Sequence, residues 1–567
     1  MAYAPNSTLR ELVRPDGIAP VWCDGHEFLR RMFITVRDRC WREVGPTHWE
    51  SAVDEAKRTA TLMACHISEQ VAFEWQGTLR VSHDLRKLRF ALVGKALRDM
   101  EVCRLGLVIL HPVNSMVGSQ LAAIGPQADQ HLTVTDTIFS QPIVDGIPLA
   151  MTEPFSELVI ERADFGTLTL RFEGELFELE DQRNWGDASF KSYCTPLRLG
   201  FPRTVKAGAS IAHSVEVRFD PASRRETSHV TASPRAEIGV FPTLGRERRL
   251  LSTPVRSHKE PAWHHVHFQI AEQTDTAILR SLLESVSPKI QIGVAADLAS
   301  TAEVLDLLCR HRERVSRVIL SGPGTSLPPA AEVERWRRHF EAATGSPYTP
   351  LLAGTGGYYV EFNRAMAFDV PASGLAFPLT ATVHSDDDAT IADNVAAIRD
   401  MAETARRLTK LSEIVVSPLA LYHPPSGIPR NFPVNLIRPW LAATLIHAAL
   451  ARVASITLAG DVLEAIDSNG PGTSQFTSRL IECAGREVIS LETTRPSRLY
   501  AAAFRLAGGR RDRILAANLD SHSAAISLAP IGLRAASATD AVTAASIAVN
   551  ERDVEIPGLA TLWIELC

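Results

Sequence analysis

The feature that most constrains this chain is a long alternation running from Ala236 to Ala459. Short β-branched runs take turns there with stretches of helical apolar spacing. Eight strand candidates can be placed: Ala236–Phe241, His264–Ile270, Lys289–Asp297, Val315–Ser321, part of Tyr348–Asn363, Leu375–His384, Leu411–Leu421 and Val453–Ala459. Between them, Ala302–Arg310 sets Val304, Leu307 and Leu308 at helical spacing, and Ile391–Leu408 repeats Val395, Ile398, Met401 and Ala402. Eight strand–helix units over about 250 residues is the arithmetic of a (β/α)8 barrel of the TIM type, assigned to residues 229–493. A doubly wound sheet needs about six strands and usually a Gly-rich first turn, and fits less well.

The flanks have a different texture. Before the barrel, Thr78–Ser82 and Thr167–Phe172 alternate with period two, and Arg171–Glu180 continues with a phase slip at Gly174 that predicts a turn or bulge. Residues 1–228 therefore read as an N-terminal β-sandwich-like domain, closed by the polar linker Ser223–Ser228. After the barrel, Arg513–Asn518, Ala524–Leu528 and Ala560–Leu566 are strand-like, which predicts a small C-terminal β-sandwich over 494–567. The expected architecture is a multidomain α/β plus β chain of three domains. At about 150 residues per domain, 567 residues would make about four, and the large barrel absorbs the difference.

Composition narrows the function by exclusion. Formal charge is −6, so no cationic surplus exists to displace counterions from nucleic-acid phosphates. The longest apolar runs, such as Leu105–Leu110 and Ile414–Leu421, fall far short of the ~18 residues of a membrane helix. Met1–Asp16 carries no apolar signal core, and the eight cysteines are scattered without a Cys-x-x-Cys pair. A cytoplasmic protein with reduced thiols is expected. Nucleophile-elbow, P-loop and His-Glu-x-x-His motifs are absent from the sequence.

In a barrel, chemistry sits at the C-terminal ends of the strands. The fifth strand's end carries Tyr358-Tyr359-Val360-Glu361-Phe362-Asn363-Arg364. Read as strand, this puts Glu361 and Asn363 on one face, with Glu361 a candidate acid or base; the alternative is a Glu361–Arg364 ion pair closing a loop. The sixth ends at His384-Ser385-Asp386-Asp387-Asp388, where an acidic neighbour can hold the imidazole tautomer and one or two of the aspartates can cap a helix. The seventh ends at Tyr422-His423, and the eighth at Asp461, a candidate second acid or an ordinary turn residue. His265 and His267 have metal-pair spacing, but lie at the entry end of their strand, which favours a structural role. No metal and no cofactor are expected.

The densest polar stretch lies in the first domain, Glu180-Asp181-Gln182-Arg183-Asn184-Trp185-Gly186-Asp187-Ala188-Ser189-Phe190-Lys191-Ser192-Tyr193. It suits a hydroxyl-rich ligand, or else a buried ion-pair network. The same stretch resembles the signature of the D-apionate lactonase (D-apionolactonase) family of bacterial sugar catabolism. Further matching segments are Val36-Arg37-Asp38 with Trp41, Leu110-His111-Pro112, Tyr359–Arg364, Val383-His384 with its aspartates, and Val416-Ser417-Pro418. The resemblance covers nearly the whole chain. It implies a soluble hydrolase that opens D-apionolactone to D-apionate in D-apiose breakdown, with a glycosidase-like barrel between β-domains.

The reading that follows has Glu361 or His384 deprotonating a water, with Asp461 as a further acid. Asn363, Arg364 or Lys191 stabilises the oxyanion, and Asn184, Trp185 and Asp187 hold sugar hydroxyls. The expected partner is a small-molecule sugar lactone, with neither nucleic acid nor membrane. Two other readings stand beside it. One is a glycoside hydrolase of a plant-derived glycan using Glu361 and Asp461, with carboxyl groups ~5–9.5 Å apart. The other is a non-catalytic carbohydrate-binding protein.

Overall fold

The structure is a computed structural model, and it describes residues 8–24, 26–222, 237–247, 262–270, 276–285, 289–296, 301–344, 350–365, 370–385, 387–421, 435–467, 473–491, 493, 498–505, 511–528, 533–541, 543, 545–550 and 552–566. The linker Ser223–Ser228, Asp386, Tyr422 and His423 lie outside the described residues. The chain divides into two compact units. One comprises residues 1–183 and 188–231, the other residues 184–187 and 232–567.

The first unit is built from two large antiparallel sheets of seven and nine strands. In the seven-stranded sheet, Met100–Pro112 pairs with Arg31–Asp38 on one side and Ser189–Tyr193 on the other, with Glu178–Asp181 beyond. The strand Ala72–Val81 alternates buried and exposed residues, because one face meets the core and the other meets water. Its inward Trp75 donates from Nε1 to His66 Nε2 at 3.0 Å, so the largest core side chain is satisfied as well as buried. Phe28, Phe73, Phe90, Phe155 and Phe219 fill the same core. The alternation through Thr167–Phe172 stops at Glu173; Gly174, at φ +94°, ends that strand. The next strand, Glu178–Asp181, belongs to the other sheet.

In the second unit a closed barrel of eight parallel strands forms: β1 (Thr243–Glu247), β2 (His265–Ile270), β3 (Lys289–Ala295), β4 (Val315–Ser321), β5 (Leu351–Gly354), β6 (Gly374–Thr380), β7 (Glu413–Ala420) and β8 (Ser455–Leu458). β8 pairs with β1 to close the ring. Helices from this unit that matter below are α1 (Tyr359–Arg364), α2 (Asp388–Asn394), α3 (Ala397–Thr409), α4 (Ile437–Leu450) and α5 (Gly460–Asp467).

Two sequence-based strands need correction. The first barrel strand is not Ala236–Phe241. Ile238–Val240 instead pairs with Glu487–Ser490 at the edge of a seven-stranded C-terminal sheet, and its exposed–buried–exposed pattern is that of a half-solvated edge. The true β1, Thr-Leu-Gly-Arg-Glu, carries a glycine and two charges and so lacks a strand texture. Its Gly245 is required: a Cβ there would stand 2.2 Å from His265 Nε2. The second correction concerns Tyr359–Arg364. These residues are helical, because β5 ends at Gly354 and the chain turns through Gly356 and Gly357 first.

Inside the barrel, His265 and His267 are buried in a polar network. His265 Nε2 lies 3.0 Å from Thr457 Oγ1, while Gln291 Nε2 lies within 3.2 Å of His267 Nδ1, Ser417 Oγ and Thr457 Oγ1. The His-x-His pair is thus hydrogen-bonded interior. The C-terminal sheet runs on through Leu499–Arg505, Arg511–Asn518, Thr561–Leu566 and Ala535–Asp540, and a two-stranded sheet of Ala524–Ser527 and Asp553–Ile556 completes the sandwich. All-round apolar α4 fits this setting, packing between barrel and sheet with His447 edge-on to Tyr500 at 4.8 Å.

Candidate active site

The fourteen-residue polar stretch divides between the two units. Its outer parts build an ion-pair network in the first unit. Arg183 grips Asp181 with two bonds of 2.9 and 2.7 Å and lies over Phe190, and Lys191 Nζ sits 2.5 Å from Glu180 Oε2. Tyr193 donates to Glu178 at 2.9 Å. Burial pushes the Lys191 ammonium down to about 8 against the pull of Glu180. Lys191, expected at the oxyanion, is a member of this network.

The middle of the stretch, Asn184–Asp187, belongs to the second unit. Gly186 makes this possible. It sits at φ +90°, where a side chain is strained, and a Cβ would come 2.9 Å from Leu379 Cδ1 beside the end of β6. On either side of it, Trp185 and Asp187 meet residues that follow β5 and β6.

Asp187 is nearly buried and uses both oxygens. Oδ2 lies 2.5 Å from His384 Nδ1, and Oδ1 accepts from Asn394 Nδ2 at 3.0 Å. An imidazole nitrogen beside a carboxylate is the donor, so the arrangement fixes the proton on Nδ1 and leaves Nε2 as the basic nitrogen. His384 follows β6 by four residues, at the end of the barrel where chemistry is expected. The Trp185 indole stands edge-on to the His384 ring, 5.8 Å between centroids, and edge-on to Tyr358 at 5.2 Å. Burial and the Asp187 charge push the Tyr358 phenol up to about 12, so it remains a neutral wall near neutral pH. The Arg364 guanidinium lies 5.6 Å from the Trp185 ring centre, and Asn363 Nδ2 donates to Asn184 Oδ1 at 2.8 Å.

Asn184, Trp185, Asp187, Asn363, Arg364 and His384 are therefore brought together. Their roles within the cluster differ from the sequence reading in one respect: Asp187 holds His384 and Asn394. The acid on His384 Nδ1 comes from residue 187, whereas Asp387 takes the capping role that the sequence also offered, accepting from Thr390 N at 3.0 Å, and Asp388 lies in the first turn.

Glu361 and Asn363 do not share a face, because residues two apart on a helix point in different directions. Glu361 pairs with Arg364 at 3.3 Å, the helical i, i+3 neighbour, so the ion pair of the alternative reading forms, within a helix and not across a loop. Asp461 lies in the first turn of α5, where Oδ2 accepts from Leu421 N at 3.0 Å and Oδ1 from Val462 N at 2.7 Å. Both oxygens hold backbone, which is the turn-residue alternative. Sequence reasoning missed Asn394, whose place inside a helical apolar pattern gave no polar signal, and the wall role of Tyr358. Among the described residues no group of three or more His, Cys, Asp or Glu is placed to hold a metal ion. No helix among them is long and apolar enough to cross a membrane.

Comparison with known proteins bears on both units. Residues 7–222 match the D-apionate lactonase N-terminal domain, and residues 294–428 match the D-apionate lactonase TIM barrel domain. A D-apionate lactonase from Brucella anthropi is 29% identical over 194 residues, which is 32% of this chain and 29% of that protein. The match thus spans less than a third of the relative's length. Solved structures that are similar include a GH36 α-galactosidase variant from Geobacillus stearothermophilus with raffinose (8% identity, 94% of this chain and 89% of that one, TM-score 0.29). Another is a 4-O-α-L-rhamnosyl-β-D-glucuronidase from Fusarium oxysporum (9% identity, 59% and 98%, TM-score 0.38).

Proposed function

We propose that this chain, which belongs to the D-apionate lactonase family, is a hydrolase that opens a sugar lactone, D-apionolactone being the lead substrate, to its acid. The observation that carries the reading is the 2.5 Å contact between Asp187 and His384 beyond the end of β6. A ring lactone needs only an activated water and a place for the negative charge that develops on its carbonyl oxygen.

In this mechanism His384 Nε2 takes the proton of a water as its oxygen attacks the lactone carbonyl. Asp187 holds the imidazole in the basic tautomer and stabilises the imidazolium that forms. The partly exposed Arg364 guanidinium supplies the cation for the tetrahedral oxyanion. When that intermediate collapses, His384 returns the proton to the ring oxygen, which leaves as the hydroxyl of the open acid. Trp185 and Tyr358 wall the sugar on its C–H side, and the buried Asn363–Asn184 amide pair braces the turn that carries Trp185. The substrate is neutral, in keeping with a formal charge of only −6 and no steering requirement. A role in D-apiose breakdown, in the cytoplasm, is the setting we propose.

The test is acid release from D-apionolactone and a panel of aldonolactones, followed in a pH-stat with and without chelator. Wild-type protein should open at least one lactone well above the spontaneous rate, and His384→Asn should lose at least ~10²-fold. No acid above background across the panel would remove the proposal.

A further inference from the structure

We infer that Asn394 is a positioning residue that fixes Asp187, and through it the tautomer and direction of His384; this rests on the reading of His384 as the base. Asn394 is the last residue of α2, is almost fully buried, and donates from Nδ2 to Asp187 Oδ1 at 3.0 Å. Asp187 therefore stands between two donors, one on each oxygen. A carboxylate bonded only through Oδ2 can rotate about its Cβ–Cγ bond, and it would leave a buried oxygen without a partner. An amide N–H pins that oxygen. Because an amide neither gains nor loses a proton in the working pH range, the donor facing Oδ1 persists throughout.

The helix that carries Asn394 is itself anchored at both ends of its seven residues. Asp387 caps the N-terminus through Thr390 N, and Asp393, beside Asn394, pairs with Arg498 at 2.9 Å. Arg498 also donates to Ala389 O at 3.2 Å. These bonds set α2 in place, and α2 sets the donor. Asp187 is positioned from the other side by the Gly186 turn, so the carboxylate is fixed by backbone on one side and by Asn394 on the other.

The experiment reads the dyad without relying on turnover. A short N–H···O⁻ contact at His384 Nδ1 gives a downfield proton resonance, assigned by its loss in His384→Asn. In Asn394→Ala this resonance should broaden by solvent exchange. With D-apionolactone, kcat should fall about 10-fold while KM stays within about 2-fold, the size typical of losing an outer hydrogen-bond partner. Asn394→Asp matches the shape but has no donor near neutral pH. Its resonance should be lost at neutral pH and return at lower pH, where two neighbouring carboxyls share a proton and one becomes a donor again. A sharp resonance and unchanged kcat in Asn394→Ala, with only a lower Tm, would overturn the inference. So would a wild-type protein that shows no such resonance. Failure of the wild type to open any lactone would strike the functional reading instead, leaving the resonance test of Asn394 intact.

Discussion

The geometry around Asp187 makes Asp187→Asn far more damaging than its small change in shape suggests. With Asn394 kept in its present orientation, Nδ2 towards residue 187, the amide introduced there turns its oxygen to accept from it. Its NH2 then faces His384 Nδ1. The imidazole has to accept there, which moves its proton to Nε2 and removes the base. The magnitude has two parts. In a dielectric of about 20, charges about 4 Å apart attract by about 4 kcal/mol, so losing the carboxylate's stabilisation of the imidazolium is worth about 10³-fold. Tautomer reversal carries the loss toward about 10⁴-fold. The exchanged pair Asp187→Asn with Asn394→Asp separates the two parts. The carboxylate now sits on α2 and accepts from the amide at 187, whose oxygen turns back toward His384 Nδ1. The correct tautomer is restored with the charge displaced, and the double variant should recover about 10-fold or more over Asp187→Asn. Lactone opening is read in a pH-stat, with Tm measured to establish folding. If Asp187→Asn keeps a rate within about 5-fold of wild type, or the folded exchange variant recovers nothing, the orientation argument is wrong.

Two further outcomes follow from buried groups away from the dyad. Burial pushes His267 and His447 each down to about 4, so the unfolded chain takes up protons first as pH falls through about 6.5. Their contribution is fully present above that pH and is lost between about 6.5 and 4, by about 2 kcal/mol per histidine at pH 5; Tm should drop from pH 7 to pH 5, and a flat Tm would contradict it. In the first unit, Lys191→Met leaves Glu180 nearly buried without its cation and should cost about 3–5 kcal/mol in urea denaturation. A stable Lys191→Met protein with a collapsed kcat would return Lys191 to the oxyanion role.

How much of this was legible in the sequence depends on the range over which each signal acts. Period-two and helical spacing are set within a few residues, so seven of the barrel strands and the alternating strand Ala72–Val81 could be read directly. β1 could not, because its glycine answers to His265 twenty residues on, and a local pattern carries no trace of that demand. Tyr359–Arg364 misread for a related reason: an apolar and aromatic run fits a buried strand or a short buried helix equally, and length alone separates them. The site repeats the lesson at longer range. Residue types in Asn184–Asp187 and around His384 announced chemistry, yet their partnership spans nearly two hundred residues. The nearer candidates, Asp387 and Asp388, were the natural guess for the imidazole. They are taken by the local competition that short acidic side chains win most often, satisfying the free N–H groups at a helix start. Asp461 is lost to the same competition at α5. Asp187 is not spent on a helix start, and it reaches His384 from elsewhere in the chain. In this chain that acid follows Gly186, the one residue of the polar stretch whose positive φ marks a forced turn.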